Sequence, residues 1–156
     1  MSALVNDAIS RFRALHPARE LAVELARGLP ELRVDSVLLR RAIDNLLENA
    51  HKFSDGATRI RLSAFSTSAG VTISVTDQGI GIDEMEMQNV CTPFFRSDKS
   101  RSRSTGGSGL GLALAKRVIE AHRGTIGIAS NPGQGTTVTL TLPPASAAEL
   151  GRDLTS

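Results

Sequence analysis

The sequence predicts an α/β fold, a two-layer sandwich in which helices pack on one face of a mixed, mostly antiparallel sheet. Three observations lead to this prediction. Apolar residues recur at helical spacing in three segments. They alternate with polar residues in several shorter segments, and the segments follow in the order helix, strands, helix, hairpin, irregular stretch, helix, hairpin. Elements that each have one apolar face bury those faces against one another, which gives the two layers.

The first part of the chain predicts two helices separated by short strands. Alternation predicts a strand over residues 20–25 and a second, shorter one over residues 31–35. Asp35 is placed to cap a second helix that runs to about residue 50. The first helix is predicted over residues 2–14, because apolar side chains recur there at helical spacing: Leu4, Val5, Ala8, Ile9 and Phe12.

Two hairpins follow in the middle and at the end of the chain. Residues 58–65 and 70–77 alternate at period two, with a short loop of small polar residues between them. Residues 124–130 and 136–142 alternate in the same way, and the segment 131–135 (NPGQG) is typical of a tight turn. Both pairs therefore predict antiparallel neighbours in one sheet.

The stretch between the hairpins is irregular. Residues 83–107 are polar, basic and poor in core residues, and an irregular stretch of this length in a compact domain is usually a lid or a binding loop. A third helix is predicted over residues 110–121. We expect one domain over residues 1–143, followed by a polar tail or linker, expected to be disordered, over residues 144–156.

Length and composition indicate one globular domain and exclude several classes of function. The chain has 156 residues, of which 40% are hydrophobic and 22% charged, and Tyr and Trp are absent. A net charge of +2 does not indicate a nucleic-acid partner, and a small anionic ligand fits it better.

The same features indicate a cytoplasmic domain. The single cysteine, Cys91, excludes an intrachain disulfide and indicates a reducing compartment. No apolar run approaches the roughly 18 residues of a membrane span, and no signal peptide is evident. We expect no membrane contact by this chain, which starts on an amphipathic pattern as a domain excised from a longer parent, anchored or soluble, would.

Three polar residues share one face of the second helix. Asn45, Asn49 and Lys52 follow one another at spacings of four and three residues. Amide oxygens are hard ligands for Mg²⁺, and a lysine offsets phosphate charge, so this face suits a magnesium–phosphate complex. The alternative is a solvated helix face.

An acidic residue followed by glycines ends the second strand of the first hairpin. Asp77 can accept a hydrogen bond from an exocyclic amine such as that of adenine. Gly79 and Gly81 would let the backbone approach a flat base closely. An ordinary turn is the alternative.

Glycines also precede and open the third helix. Backbone N–H groups at a helix start, exposed by Gly107, Gly109 and Gly111, can hold phosphate. The segment is neither a P-loop nor a dinucleotide-binding GxGxxG, because the lysine of the first and the preceding strand of the second are missing. A flexible hinge is the alternative.

The remaining candidate side chains carry less information. Phe94 and Phe95 could pin the irregular stretch to the domain, and Arg96 could reach a phosphate. Cys91 has no neighbour in sequence that favours a thiolate. The histidines have no metal-ligand spacing and no acid–base partner, and we expect structural or surface roles for all three: His16, His51 and His122.

Taken together and in order, these segments resemble the ATP-binding catalytic domain of bacterial sensor histidine kinases, in the group that contains gyrase B, Hsp90 and MutL. Five motifs over residues 35–143 carry the resemblance: NLLENAHKF (N box), DQGIGI (first glycine box), PFFR (F box), GSGLGLAL (second glycine box) and GQGTTVTLTLP. The resemblance implies a Bergerat-type fold with a long mobile ATP lid at about residues 83–107.

The resemblance also implies roles for single residues. Asn49 would bind Mg²⁺, with Asn45 close to the metal, and Lys52 would contact phosphate. Asp77 would bind the adenine amine, with Phe53 packed near the base. The other residues implied at the ATP site are Gly79, Gly81, Ile82, Phe95, Arg96, Gly107, Gly109, Leu110 and Gly111.

Two departures from related enzymes sharpen the expected activity. Hydrolytic members of the group have a glutamate as general base where this chain has Asn45, and Glu48 lies at a different angle on the helix. Phosphoryl transfer to a histidine is therefore favoured over hydrolysis. No histidine here stands in the acceptor motif, so the acceptor is expected on a separate dimerisation domain that would pass the phosphate to a response regulator. This chain is expected to be a monomer. The alternatives are a regulatory ATP/ADP-binding module without transfer, an anti-sigma-type serine kinase, and a clamp ATPase.

Overall fold

The computed structural model describes residues 1–95 and 109–144. Four helices and five strands lie in these ranges. The helices are α1 (Ser2–Leu15), α2 (Ser36–Phe53), α3 (Glu84–Met87) and α4 (Gly111–Ala121). The strands are β1 (Leu21–Leu25), β2 (Ile60–Thr67), β3 (Gly70–Thr76), β4 (Thr125–Asn131) and β5 (Gly135–Leu142).

The described strands form a single mixed sheet, as the sequence predicted. Their order is β1-β2-β3-β5-β4. Only β1 and β2 run parallel, and the other three pairs are antiparallel. The two predicted hairpins are confirmed, with Thr67 opposite Gly70 in the first and Asn131 opposite Gly135 in the second.

The core lies between the sheet and the helices. Alternate residues of β2, β3 and β5 are buried against α2 and α4, and α1 packs on α2. The opposite face of the sheet is polar; there the hydroxyls of Ser74 and Thr139 lie 3.0 Å apart, and those of Thr76 and Thr137 also 3.0 Å apart. Helices α2 and α4 pack on the apolar face of the sheet, which needs a second layer to bury it. The predicted two-layer sandwich with helices on one face is therefore confirmed.

The start of α2 is fixed by two groups. As predicted, Asp35 is the N-cap: its carboxylate accepts hydrogen bonds from the N–H groups of Val37 and Leu38, both at 2.9 Å. The N–H of Asp35 donates to Nε2 of His122 at 2.9 Å, at the end of α4. This bond joins the far ends of the two helices that carry candidate site residues.

One expectation about local structure was wrong. Residues 31–35 form no strand; Leu32 and Val34 instead turn half-buried side chains toward the core beside the starts of α1 and α2, so their alternation reflects packing without backbone pairing. The first part of the irregular stretch contains the short helix α3 and a series of turns up to Phe94.

Parts of the predicted lid and tail lie outside the described residues, namely residues 96–107 and 145–156. In the ranges that are described, no helix combines the length and the apolar character that crossing a membrane requires.

Candidate functional site

A cavity of about 280 Å³ lies between α2, the ends of β3 and β5, and the start of α4. This volume is near the lower end of the range of small-molecule pockets, roughly 300–1,000 Å³. Most of the candidate residues meet in it: Asn45, Asn49, Lys52, Phe53, Asp77, Gly81, Ile82, Phe95, Gly109, Leu110 and Gly111. Gly79 does not line the cavity, and Arg96 and Gly107 lie outside the described residues.

The polar face of α2 forms one side of the cavity. Asn45, Asn49 and Lys52 are half-buried and all line it, while the opposite face of the helix is buried in the core. Gly111 of α4 packs closely on this face: a Cβ built there would lie 3.3 Å from Nδ2 and 3.4 Å from Oδ1 of Asn49. The cavity is therefore narrow where the amide side chains point into it.

Asp77, which directly follows β3, also lines the cavity and is 8% exposed. Its Oδ1 accepts hydrogen bonds from the N–H groups of Gly79 (2.7 Å) and Thr136 (3.3 Å). Burial raises the pKa of the Asp77 carboxyl, and these two bonds and the charge of Arg19 oppose the rise. Both of these bonds go to Oδ1, which leaves Oδ2 as an acceptor for a ligand.

The turn that follows Asp77 is held from two sides. The N–H of Ile80 donates to the carbonyl of Phe53, the last residue of α2, at 3.0 Å. The carbonyl of Ile80 accepts from the N–H of Gly133 at 2.7 Å, and the N–H of Ile82 donates to Oγ of Ser130 at 2.9 Å. The adenine-binding carboxylate predicted from the sequence thus stands on a turn anchored to α2 and to the β4–β5 hairpin.

The glycines of this turn are required by the protein's own backbone. A Cβ at Gly79 would lie 2.2 Å from the carbonyl oxygen of Phe53. Gly81 has a φ of +67°, and a Cβ there would lie 2.0 Å from the carbonyl oxygen of Asn131. The sequence analysis explained both glycines by a close approach of the backbone to a base. That explanation stays a prediction for both residues.

The start of α4 presents backbone donors. Its N-cap, Leu110, makes no side-chain capping bond, and no acidic residue stands in its first turn. Within the described ranges no side chain caps the first N–H groups of the helix, which suits them to hold an anion. Gly109, with a φ of +71°, packs against Phe94 and Phe95, and its carbonyl accepts from the N–H of Phe94 at 3.1 Å.

Several lining residues were missed by the sequence reasoning. Thr136 stands beside Asp77, whose N–H donates to the Thr136 carbonyl at 2.9 Å. The Gly-Thr motif signalled this position, but its role depends on pairing of β3 with β5. The other missed lining residues look like core or ordinary helix residues in the sequence: Leu46, Glu48, Ala50, Val75, Ile80, Val90, Leu112 and Val138.

Glu48 lines the cavity, and its Oε1 lies 2.7 Å from Nε2 of His16, the C-cap of α1. His51 stacks on His16, with ring centroids 3.9 Å apart. The pKa of His51 is lowered mainly by burial and to a smaller extent by the charge of His16. Burial raises the pKa of the Cys91 thiol, which disfavours a reactive thiolate. The carboxylate of Glu48, although the residue lines the cavity, is thus engaged with His16.

The donor set fits magnesium better than a transition metal. Within the described ranges, no group of three or more His, Cys, Asp or Glu side chains is placed to hold a metal ion. The amide oxygens of Asn45 and Asn49 would supply few protein ligands. Such a shell suits Mg²⁺, which commonly completes its coordination with phosphate oxygens and water.

Curated relatives of this chain are sensor kinases. It is 43% identical over 143 residues to the sensor-like histidine kinase SenX3 of Mycobacterium tuberculosis, covering 90% of this chain and 34% of that protein. It is 37% identical over 153 residues to the phosphate regulon sensor protein PhoR of Pseudomonas aeruginosa, covering 97% of this chain and 34% of that protein. The chain therefore spans about a third of the length of these relatives.

Solved structures and a family match agree with this. The mycobacterial sensor histidine kinase MprB superposes with a TM-score of 0.80 at 33% identity, covering 92% of this chain and 95% of that one. Full-length ShkA, solved in complex with AMPPNP, superposes with a TM-score of 0.76 at 28% identity, covering 93% of this chain and 30% of that one. Residues 34–146 match the family of histidine kinase-, DNA gyrase B- and HSP90-like ATPases. The chain belongs to this family, as an ATP-binding catalytic domain of the sensor histidine kinase type.

Proposed function

We propose that this domain binds Mg²⁺-ATP in the cavity between α2 and α4 and presents the γ-phosphate to a histidine on a separate dimerisation domain. The observation that carries the proposal is the arrangement of that single cavity. A buried carboxylate, two amides, a lysine and the start of α4 all line it, and Gly111 at that helix start packs on Asn49. These groups suit an adenine at the carboxylate and a triphosphate at the amides, the lysine and the helix start.

At the adenine end, the open lone pairs of Asp77 Oδ2 would accept a hydrogen bond from the exocyclic amine. Apolar side chains line the space beside this carboxylate, among them Ile80, Ile82 and Val138. A flat base buried against such walls gains from the hydrophobic effect, and the single polar group fixes its orientation. The complex of ShkA with AMPPNP supports an adenine nucleotide as the ligand.

At the phosphate end, Asn49 and Asn45 would hold the metal, and Lys52 would contact phosphate. Bound Mg²⁺ would offset the charge of the triphosphate. The backbone N–H groups at the start of α4 would donate to phosphate oxygens, aided by the helix dipole. Gly107 and Arg96 remain candidates for this end, on the resemblance alone. Catalysis by such a site is positioning and charge stabilisation.

The site favours transfer over hydrolysis. Asn45 cannot take a proton from water, and the nearby carboxylate of Glu48 is hydrogen-bonded to His16. An imidazole nucleophile needs no such base. A regulatory module that binds ATP or ADP without transfer is the second candidate, since the described site would bind nucleotide equally well without an acceptor. An anti-sigma-type serine kinase is less favoured, because a hydroxyl nucleophile gains more from a base.

The acceptor is proposed to lie outside this chain. His16 and His51 stack between α1 and α2, and His122 bonds Asp35 and the carbonyl of Val118. The partners would be the dimerisation domain of the parent kinase and, through it, a response regulator, in the cytoplasm. We place the domain over residues 1–143 and expect it to be monomeric in isolation.

Calorimetric titration of the domain with ATP and ADP, with and without Mg²⁺, tests the proposal. We expect Mg²⁺-dependent binding with negligible phosphate release, and transfer to an added histidine-bearing helical hairpin. Steady hydrolysis would instead indicate a clamp ATPase, and binding without transfer to any such hairpin would favour the regulatory module.

Asn49→Ala is expected to remove the dependence of ATP binding on Mg²⁺, because it deletes the proposed metal ligand. Titrations of ATP with Mg²⁺ and with EDTA should then give the same dissociation constant. Asn6→Ala makes the same change on the exposed surface of α1 and should leave the Mg²⁺ effect intact. A variant at Asn49 that still prefers Mg²⁺-ATP would contradict the assignment.

Gly111→Ala is expected to weaken Mg²⁺-ATP binding roughly tenfold while changing adenosine binding little. The new methyl group would lie 3.3 Å from Asn49 Nδ2 and displace that side chain, and its nearest contacts include no atom of Asp77. Alanine is a better helix former than glycine, so the melting temperature should not fall. Equal losses for ATP and adenosine would count against a phosphate-side role for Gly111.

A further inference from the structure

Arg19 is a buried cation that the proposed site does not use. It lies between α1 and β1 and is only 6% exposed, which is unusual for an arginine. Its Nε atom is buried without a hydrogen-bond partner. Burying a charged side chain costs free energy. The contacts that Arg19 makes are therefore expected to serve a structural or functional purpose.

The guanidinium lies at the C-terminal end of α2. It donates hydrogen bonds to Oγ of Ser54 and to the carbonyl of Asp55, and a longer one of 3.4 Å to Oγ1 of Thr58. Ser54 is the C-cap of α2, and its hydroxyl donates to the carbonyl of Ala50 at 2.5 Å. Arg19 therefore fixes the residues that directly follow the helix, where a positive charge is also favourable to the helix dipole.

The same helix end supports the adenine side of the cavity. Phe53 is the last residue of α2, and its carbonyl accepts from the N–H of Ile80 at 3.0 Å. Gly79 packs on that carbonyl and donates to Asp77 Oδ1 at 2.7 Å. A chain of direct contacts thus runs from Arg19, through Ser54 and Phe53, to the carboxylate of Asp77.

We propose that Arg19 is a positioning residue for adenine recognition, which acts by holding the end of α2 on which the turn of Asp77 docks. This inference rests on the proposed function, since it requires that Asp77 bind the adenine amine. Arg19 lies outside the cavity and outside the five sequence motifs. It would nevertheless contribute to the selection of the base.

The charge of Arg19 acts in the same direction as its contacts. Burial raises the pKa of the Asp77 carboxyl, and the bonds from Gly79 and Thr136, together with the charge of Arg19, oppose that rise. An ionised carboxylate is the better acceptor for an amine. Loss of the guanidinium would therefore both loosen the turn and make the carboxylate a poorer acceptor.

The test compares ATP with the triphosphate of the purine riboside that lacks the 6-amine. In Arg19→Met, which keeps the length of the side chain and removes its charge and donors, affinity for ATP should fall about tenfold. Affinity for the analogue should change less than about twofold, because it makes no bond to Asp77. Arg13→Met is the matched control: Arg13 also donates to a backbone carbonyl, but to that of Leu21 in β1 and not to a residue that follows α2.

The outcomes separate the two hypotheses. If the unaltered domain binds neither nucleotide, the proposed function fails before Arg19 is tested. If it binds ATP and Arg19→Met weakens both ligands equally, or weakens neither, the positioning role is wrong. Should Arg19→Met not fold, Ser54→Ala removes one acceptor of the guanidinium with a smaller change. A selective loss of ATP affinity in that variant supports the inference, and an unchanged ATP-to-analogue ratio overturns it.

Discussion

Asp77→Asn is expected to lower the affinity for ATP by roughly 5- to 150-fold, the equivalent of about 1–3 kcal/mol for a buried hydrogen bond. The asparagine oxygen can still accept from the N–H groups of Gly79 and Thr136, as Oδ1 of Asp77 does. Its NH₂ group then replaces Oδ2 and faces the amine of adenine, so that two donors meet.

The same substitution is not expected to destabilise the fold at neutral pH. Burial raises the pKa of the Asp77 carboxyl above its ordinary value of 3.8, so the folded state holds the proton more tightly than the unfolded chain. The stability linked to that proton is present below the ordinary value and is lost as the pH rises through the folded-state pKa. A neutral asparagine avoids this loss, so its advantage in unfolding free energy should be largest near pH 7 and shrink on acidification.

Inosine triphosphate makes the test of Asp77 specific. It carries a carbonyl in place of the 6-amine, which suits the NH₂ of the new asparagine, so Asp77→Asn should lose affinity for ATP and gain affinity for inosine triphosphate. Asp35→Asn is a matched control, because Asp35 also accepts a backbone N–H two residues ahead, that of Val37 at 2.9 Å, but lies outside the cavity. If the ATP-to-inosine-triphosphate ratio is the same in both variants, Asp77 does not read the base.

Gly81→Ala is expected to destabilise the fold more than any of the substitutions described above. The residue has a φ of +67°, and the new Cβ would lie 2.0 Å from the carbonyl oxygen of Asn131. A left-handed conformation costs an alanine about 1–2 kcal/mol, and overpacking against backbone adds about 1–3 kcal/mol. We therefore expect a loss of about 3 kcal/mol or more in the free energy of unfolding, or roughly 10 °C in melting temperature.

Gly127→Ala provides the comparison for this prediction. Gly127 lies in β4 with no atom within 4 Å of a built Cβ, so its replacement should change the melting temperature little. Thermal unfolding followed by circular dichroism, with ATP titration of both variants, measures the difference. Similar melting temperatures for the two variants would show that the turn of Gly81 can separate from the β4–β5 hairpin at little cost.

The sequence predicted the fold well because its elements have clear periodicity. The apolar stripe of α2, its Asp35 cap and the alternation of β2, β3 and β5 are local signals, and each was confirmed. Residues 31–35 alternate as a strand would, yet form none, because periodicity reports which side chains are buried and not whether a backbone partner is present.

The candidate site was predictable where residues on one element share a face or a motif. Asn45, Asn49 and Lys52 do meet in one cavity. Thr136 and Ile80 were missed, because their places in the cavity depend on the β3–β5 register and on docking of the turn onto Phe53. Arg19 was missed for a similar reason, since its contacts lie 35 to 39 residues away along the chain.

The anchoring of the Asp77 turn also determines when the cavity can form during synthesis. The bond from Ile82 to Ser130 spans 48 residues, and that from Thr136 to Asp77 spans 59. Contacts between residues so far apart in sequence form late in folding. Closing the intervening loop lowers the entropy of the chain before the contact contributes any favourable free energy. A nascent chain that has already emerged through α4 carries both asparagines, Asp77 and the glycines of both boxes. It still lacks the hairpin that holds the turn of Asp77 in place, so we expect it not to bind nucleotide as the finished domain does until β5 has left the ribosome.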